Sequence, residues 1–159
     1  MITLYFEPRV EDVLWSADRR PIHPYRLEHP ELTGSDFCVS FFRADLRLVV
    51  HGVDLSLRTP GLPVVDFALM LEYARRELET GSGIAVETSV TQDVFSFSRE
   101  ATTVTLTTNY ASDVAELTWA ELCQLTERAK AEAFRLITTS HSELRDNAWL
   151  RETVGSPAE

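Results

Sequence analysis

Alternation of apolar and polar residues is sharpest between Leu46 and Leu57. With His51-Gly52 as the two-residue loop of a hairpin, Val50 faces Val53, Leu48 faces Leu55 and Leu46 faces Leu57, so the apolar side chains share one side of a sheet. The other side carries Val49 opposite Asp54, Arg47 opposite Ser56 and Asp45 opposite Arg58. Gly52 supplies the positive φ such a loop requires; His51 fits it less well than Asn does. Thr59-Pro60-Gly61-Leu62-Pro63 reads as a breaker segment. Beyond it Val64, Phe67, Ala68, Leu71, Ala74 and Leu78 fall on one helical stripe, stopped by Gly81. The pattern predicts a hairpin with a helix folded back over its apolar face.

The rest of the chain extends this plan. Ile2, Leu4 and Phe6 alternate with polar neighbours up to Pro8, which predicts a strand. Asp18 to Pro30 is a proline-interrupted loop holding Arg19, Arg20, His23, Arg26 and His29. Phe37 to Arg43 reads as a strand with Phe37, Val39 and Phe41 on one face. The apolar parity then shifts, which calls for a bulge or tight turn around Arg43 to Asp45. Ile84, Val86 and Val90 open a second β region. In it Phe97 is expected to face Val104, and Phe95 to face Leu106, around a loop at Glu100-Ala101. The threonines between Thr102 and Thr108 read as sheet surface. Thr118-Trp119-Ala120-Glu121 is a capping box opening a helix whose stripe is Leu122, Leu125, Ala129, Ala133, Leu136 and Ile137. Ser140 to Glu143 looks like a second capping box before a shorter helix. The expected fold is α+β: a single antiparallel sheet of about five to seven strands, two long helices on one face and a shorter C-terminal helix. Residues 1–154 form one domain and 155–159 a frayed tail.

A net charge of −10 argues against nucleic acid or an anionic membrane as partner; solubility and a basic protein partner account for it equally well. Fourteen of the fifteen cationic side chains are Arg, with Lys130 the exception, which reads as the codon bias of a GC-rich genome. The N-terminal stretch lacks the basic and apolar regions of a signal peptide, and the longest apolar run is too short to span a bilayer, so cytoplasmic residence is expected. Cys38 and Cys123 are too few and too far apart for a disulfide framework or a metal pair.

No nucleotide-binding, nucleophile-elbow or zinc-protease motif is present, and neither a cofactor nor a metal is expected. His23, His29, Asp36 and Cys38 are the nearest approach to a dispersed catalytic or metal cluster, with a spacing that matches no established pattern. Charge is the uneven feature. Between Gly81 and Thr118 the acids are Glu87, Asp93, Glu100, Asp113 and Glu116, against the single cation Arg99. These acids are the candidate partner-binding residues. Trp149, on a weakly amphipathic C-terminal segment, is a further candidate for contact with a partner or a second copy.

Pro63-Val64-Val65, followed by Asp66-Phe67-Ala68 and Leu71 after a hairpin, is similar to the helix start of several actinobacterial domains of unknown function. The small, acidic α+β design without catalytic motifs resembles bacterial immunity proteins of toxin–immunity pairs. That resemblance implies a non-enzymatic inhibitor of a cognate basic toxin. The alternatives are a small enzyme with a site built from dispersed loop residues and an oligomerising structural subunit.

Overall fold

A computed structural model describes residues 1–155. The expected frayed tail falls, from residue 156 on, outside the described residues; Gly155 caps the last helix, its N–H donating to the Arg151 carbonyl at 3.0 Å. The fold is α+β, with two four-stranded antiparallel sheets in place of the single sheet expected. The first contains β1 (Ile2–Pro8), β2 (Arg43–Val50), β3 (Val53–Asp54) and β4 (Leu57–Pro63). β2 is central, with β1 on one side and β3 and β4 along the other. The helix α1 (Val64–Thr80) leads to the second sheet: β5 (Gly83–Glu87), β6 (Val94–Glu100), β7 (Thr103–Thr108) and β8 (Ala115–Thr118), ordered β5-β6-β7-β8. The helices α2 (Trp119–Ser140) and α3 (Ala148–Val154) follow.

Side chains break the first hairpin's ladder at Leu48 and Leu55. The Leu55 N–H reaches the Leu48 carbonyl at 2.8 Å, but the return bond is missing. The Leu48 N–H donates instead to Ser56 Oγ at 3.1 Å, and the Leu55 carbonyl accepts the Tyr110 hydroxyl at 2.8 Å. Burial pushes the Tyr110 phenol up, which keeps its proton in place for that bond. Gly61, at φ 81°, then accommodates a register shift before Leu62 pairs with Ala44 and Pro63 with Arg43. The segment expected as a breaker therefore lies within β4. The outer edge here is interrupted between β3 and β4, and its Ser56 N–H and Arg58 carbonyl are taken by Asp54 at 3.0 Å and Arg9 at 2.6 Å.

The first hairpin has the predicted register: Val50 pairs with Val53, Val49 with Asp54 and Leu46 with Leu57. His51 does take the positive φ of the loop, at 47°, followed by Gly52 at 89°. Its ring is held from both sides, with the Met1 α-amino group 2.9 Å from Nδ1 and Glu121 Oε1 3.0 Å from Nε2. Asp45 does not find Arg58; it accepts from Arg9 at 2.7 Å. On α1 the whole predicted stripe is buried, and so are Val65, Asp66 and Met70. Phe67 meets Phe6 of the first sheet edge-on at 5.8 Å and Phe95 of the second at 5.7 Å. One contiguous core thus spans both sheets. The two long helices pack together, and each touches both sheets. α2 starts at the predicted capping box, with both reciprocal bonds formed.

Four local expectations need correction. Asp36–Ser40 is a π-helical turn, not a strand. Phe37 is buried in a stack with Phe42 and Trp149, while Val39 is exposed. The parity change occurs at Phe42, whose φ is 60°, just before the expected place; the register shift found between Ala44 and Leu46 belongs to the pairing with β4. In the second hairpin Phe97 pairs with Leu106 and Phe95 with Thr108, two residues from the expected register, because Ala101 adopts φ 53° and the loop is Ala101-Thr102. The strand β8, a short alternation with Ala115 and Leu117 buried, completes this sheet. Ser140 to Glu143 makes no capping box: His141 is buried, its Nε2 2.5 Å from the Leu14 carbonyl, and Asn147 caps α3 through the Leu150 N–H at 2.9 Å.

If Phe67 is the joint between the sheets, Phe67→Ala should cost about 3–5 kcal/mol in a urea melt, as large-to-small core changes do. Tyr110→Phe should cost about 1 kcal/mol, the worth of one hydrogen bond. An alanine variant that melts like the parent would place the joint elsewhere.

Candidate protein-binding surface

The second sheet has a covered face and an open one. Phe95, Phe97, Val104, Leu106, Ala115 and Leu117 point inward and are buried. The residues between them line the open face in rows: Ala85, Ser96 and Thr107; Gly83, Ser98, Thr105 and Glu116; Glu100, Thr103 and Thr118. Glu87 stands opposite Val94 at the far end. Short side chains make this face flat, and a shallow concavity of about 640 Å³ opens along Ser98, Glu100, Thr103, Thr105 and Glu116.

Charge on this face is of one sign. Elsewhere many acids are matched to cations, among them Asp45 to Arg9, Asp36 to Arg26, Asp54 to Arg47, Glu72 to Arg75 and Arg76, Glu127 to Lys130 and Glu132 to Arg135, while others such as Glu7, Asp18, Glu77 and Glu152 are exposed outside any ion pair among the described residues. Glu87, Glu100, Glu116 and Asp113 are exposed and, among the described residues, in no ion pair. Arg99 borders the concavity but is committed elsewhere. It donates to the carbonyls of Leu78 at 3.0 Å and Ala101 at 2.9 Å, and its guanidinium lies 3.9 Å over the Trp119 ring. Of the predicted acids, Glu87, Glu100 and Glu116 therefore share one face. Asp113 sits in the β7–β8 connection. Asp93 is half-buried and accepts the Thr91 hydroxyl at 2.5 Å within its turn.

Trp149 is not a free anchor. Its ring stacks on Phe37 at 5.6 Å and 3° and lies so close over Gly34 that a Cβ there would meet it at 2.6 Å. His23 and Asp36 of the dispersed cluster are likewise engaged within the protein. Asp36 is buried and accepts from Arg26 and from the Thr33 N–H at 2.8 Å; His23 Nε2 stands 3.7 Å away. His23 Nδ1 accepts the Tyr25 N–H at 3.2 Å, so both ring nitrogens face protein groups. The cluster ties the proline-rich loop to the π-helical turn. His29 takes no part in it and is exposed. Burial, with the charge of Asp66, pushes the Cys38 thiol up to about 11, the reverse of what a nucleophile needs. Among the described residues no three His, Cys, Asp or Glu side chains gather as a metal site.

Asp66 is the ionisable group that the hydropathy pattern missed, since it lies within the apolar start of α1. It is buried and accepts from Ser89 twice, N–H at 2.9 Å and Oγ at 2.5 Å, fixing the β5–β6 connection. Burial raises its carboxyl above the usual range despite these bonds. A cavity of about 390 Å³ beside Arg9, Asp12, Val13, Phe41 and Arg43 has its arginine and carboxylate groups in internal bonds. Family models, characterised proteins and solved structures show no match to this chain.

Asp36→Ala removes the acceptor of several donors and should cost about 2–3 kcal/mol and open residues 18–30 to proteolysis, whereas His23→Ala should cost under about 1 kcal/mol. Equal losses in urea melts would contradict this division. For Asp66 the folded pKa lies above the unfolded one. Its contribution is therefore fully present below the ordinary carboxylate range and lost as pH rises through the raised value. Asp66→Asn keeps an acceptor and a donor for Ser89 without the charge. It should raise stability at pH 7 and gain less, or nothing, at pH 3; a variant less stable than the parent at pH 7 would show that the ionised form is the favoured one.

Proposed function

We propose that this protein is a non-enzymatic binding protein that docks a basic protein partner on the open face of its second sheet, as an immunity-type inhibitor of a cognate bacterial toxin in the cytoplasm. The observation that supports this is the single sign of charge on that face. Glu87, Glu100 and Glu116 stand unpaired on a flat face of short hydroxyl side chains, and Arg99 at its border is committed to the Leu78 and Ala101 carbonyls. Unpaired carboxylates there act over a Debye length and steer a positive surface into contact. A second copy of the chain brings the same acids to the same face and is repelled by it. Nucleic acid is repelled for the same reason.

The test is E87K/E100K/E116K against the parent. Thermal stability should change by under about 0.5 kcal/mol, as for exposed positions in general. Association with the product of the adjacent reading frame, followed as a binding time course, should slow about tenfold or more at low salt, with dissociation far less affected. The parent's association should also slow as salt is added. Equal rates for both proteins, without salt dependence, would reduce the acids to solubility.

A further inference from the structure

Of the four outer edges of the two sheets, three carry an interruption, a proline or a side-chain cap. The β3 and β4 edge is interrupted at Leu55-Ser56, and its Ser56 N–H and Arg58 carbonyl are taken by Asp54 at 3.0 Å and Arg9 at 2.6 Å. At the β1 edge Arg128 donates to the Ile2 carbonyl at 3.1 Å, and Pro8 has no N–H to offer. β8 is four residues long, and the Thr118 N–H is taken by Glu121 at 2.8 Å. The β5 edge has none of these devices. Gly83-Ile84-Ala85-Val86-Glu87 contains no proline, no bulge and no cation, and only β6 pairs with it.

The hydrogen-bond phase of β5 shows which groups are free. At its two ends the Arg99 N–H donates to the Ser82 carbonyl at 2.9 Å, and the Thr88 N–H to the Asp93 carbonyl at 3.0 Å. Antiparallel ladders alternate, so Ile84 and Val86 also bond to β6. Gly83, Ala85 and Glu87 then point their N–H and C=O groups away from the sheet. All three are exposed, and among the described residues nothing bonds those groups. Ile84 and Val86 are only half-buried, so a strand laid alongside would also complete their cover.

We propose that the β5 edge receives an extended segment of the basic partner as a fifth strand, joined through the main-chain groups of Gly83, Ala85 and Glu87. The inference rests on the partner assigned above. Its charge follows from Glu87 on the edge itself and from Glu100 and Glu116 on the same face, with no unpaired cation nearby. Backbone bonds give such an addition its affinity, and the side chains of the incoming strand give it selectivity.

The probe is a capped synthetic heptapeptide of alternating Lys and Val, beside a Thr and Val counterpart and a version N-methylated at every second residue. Ala85→Pro is the blocking variant: the Ala85 N–H faces outward, so proline removes no bond to β6. The Lys peptide should slow amide exchange at Gly83, Ala85 and Glu87 and not at Leu4 or Phe6. Ala85→Pro, or N-methylation of the probe, should weaken binding about tenfold or more. The methylated probe decides the matter even where the variant folds poorly. No protection at those three amides, or unchanged binding with both blocks, overturns the proposal. If binding then still falls in E87K/E100K/E116K, the acidic face stands and only the edge is refuted. If the Thr peptide binds as well as the Lys peptide and both blocks abolish it, the edge stands and the basic partner is refuted. A parent that sediments as a dimer, dispersed by Ala85→Pro, would give the edge to a second copy and overturn the proposal.

Discussion

The arrangement depends on one broken rung. Leu48 and Leu55 oppose each other in the hairpin, yet only one ladder bond joins them, because Ser56 and Tyr110 take the groups that would form the other. A backbone carbonyl buried without a partner costs as much as a lost hydrogen bond. The hydroxyl of Tyr110, from the segment after β7, supplies that partner and ties the second sheet to the first. The chain returns through α1, and the second sheet forms beside the first. The phenylalanine relay from Phe6 through Phe67 to Phe95 then makes one core out of two sheets.

How much of this was legible in the sequence depends on how far apart the deciding residues lie. The first hairpin was legible because its register is fixed by alternation within a dozen residues, and a slip by one would have turned every leucine to water. The second hairpin was legible only in its faces. A slip by two leaves Phe95 and Phe97 inward and Ser96 and Ser98 outward, so hydropathy cannot see it; the choice rests on Ala101 entering the left-handed region and on Arg99 reaching the Leu78 carbonyl. The π-helical turn was hidden for a related reason. Phe37, Val39 and Phe41 have strand spacing, but Asp36 draws donors from Arg26 and Thr33 and winds the backbone about itself. The bond from Tyr110 to Leu55 that joins the two sheets links residues no local pattern connects.

The surface was legible as a count and not as a geometry. Five acids against Arg99 could be read from the sequence, and that excess is real. What the sequence lacked was the pairing. Asp45 is neutralised by Arg9 and Asp54 by Arg47, whereas Asp93 is absorbed by a threonine. Only the strand registers show that Glu87, Glu100 and Glu116 project from one face. Trp149 could not be judged at all without Gly34, whose missing side chain makes room for the indole.

An acidic face of this kind has a physical limit that bears on how it would hold a partner. Exposed carboxylates raise encounter rates but contribute little residence time, since each is screened and solvated in the free and bound states alike. Serine and threonine side chains lose little rotamer freedom on contact, which lowers the cost of docking without adding much attraction. Trp119, the aromatic group nearest this face, is held under Arg99, and no large apolar residue stands in its rows apart from Val94. Steering and flatness alone would give a fast and short-lived complex. A long-lived one needs directional bonds that are unmade in the free protein. On this side of the molecule the main-chain groups of β5 meet that description, because each is already exposed, fixed in direction by β6, and unpaired. In the proposed complex face and edge therefore have separate roles: the glutamates would bring a positive strand to the sheet, and the backbone of Gly83, Ala85 and Glu87 would hold it there.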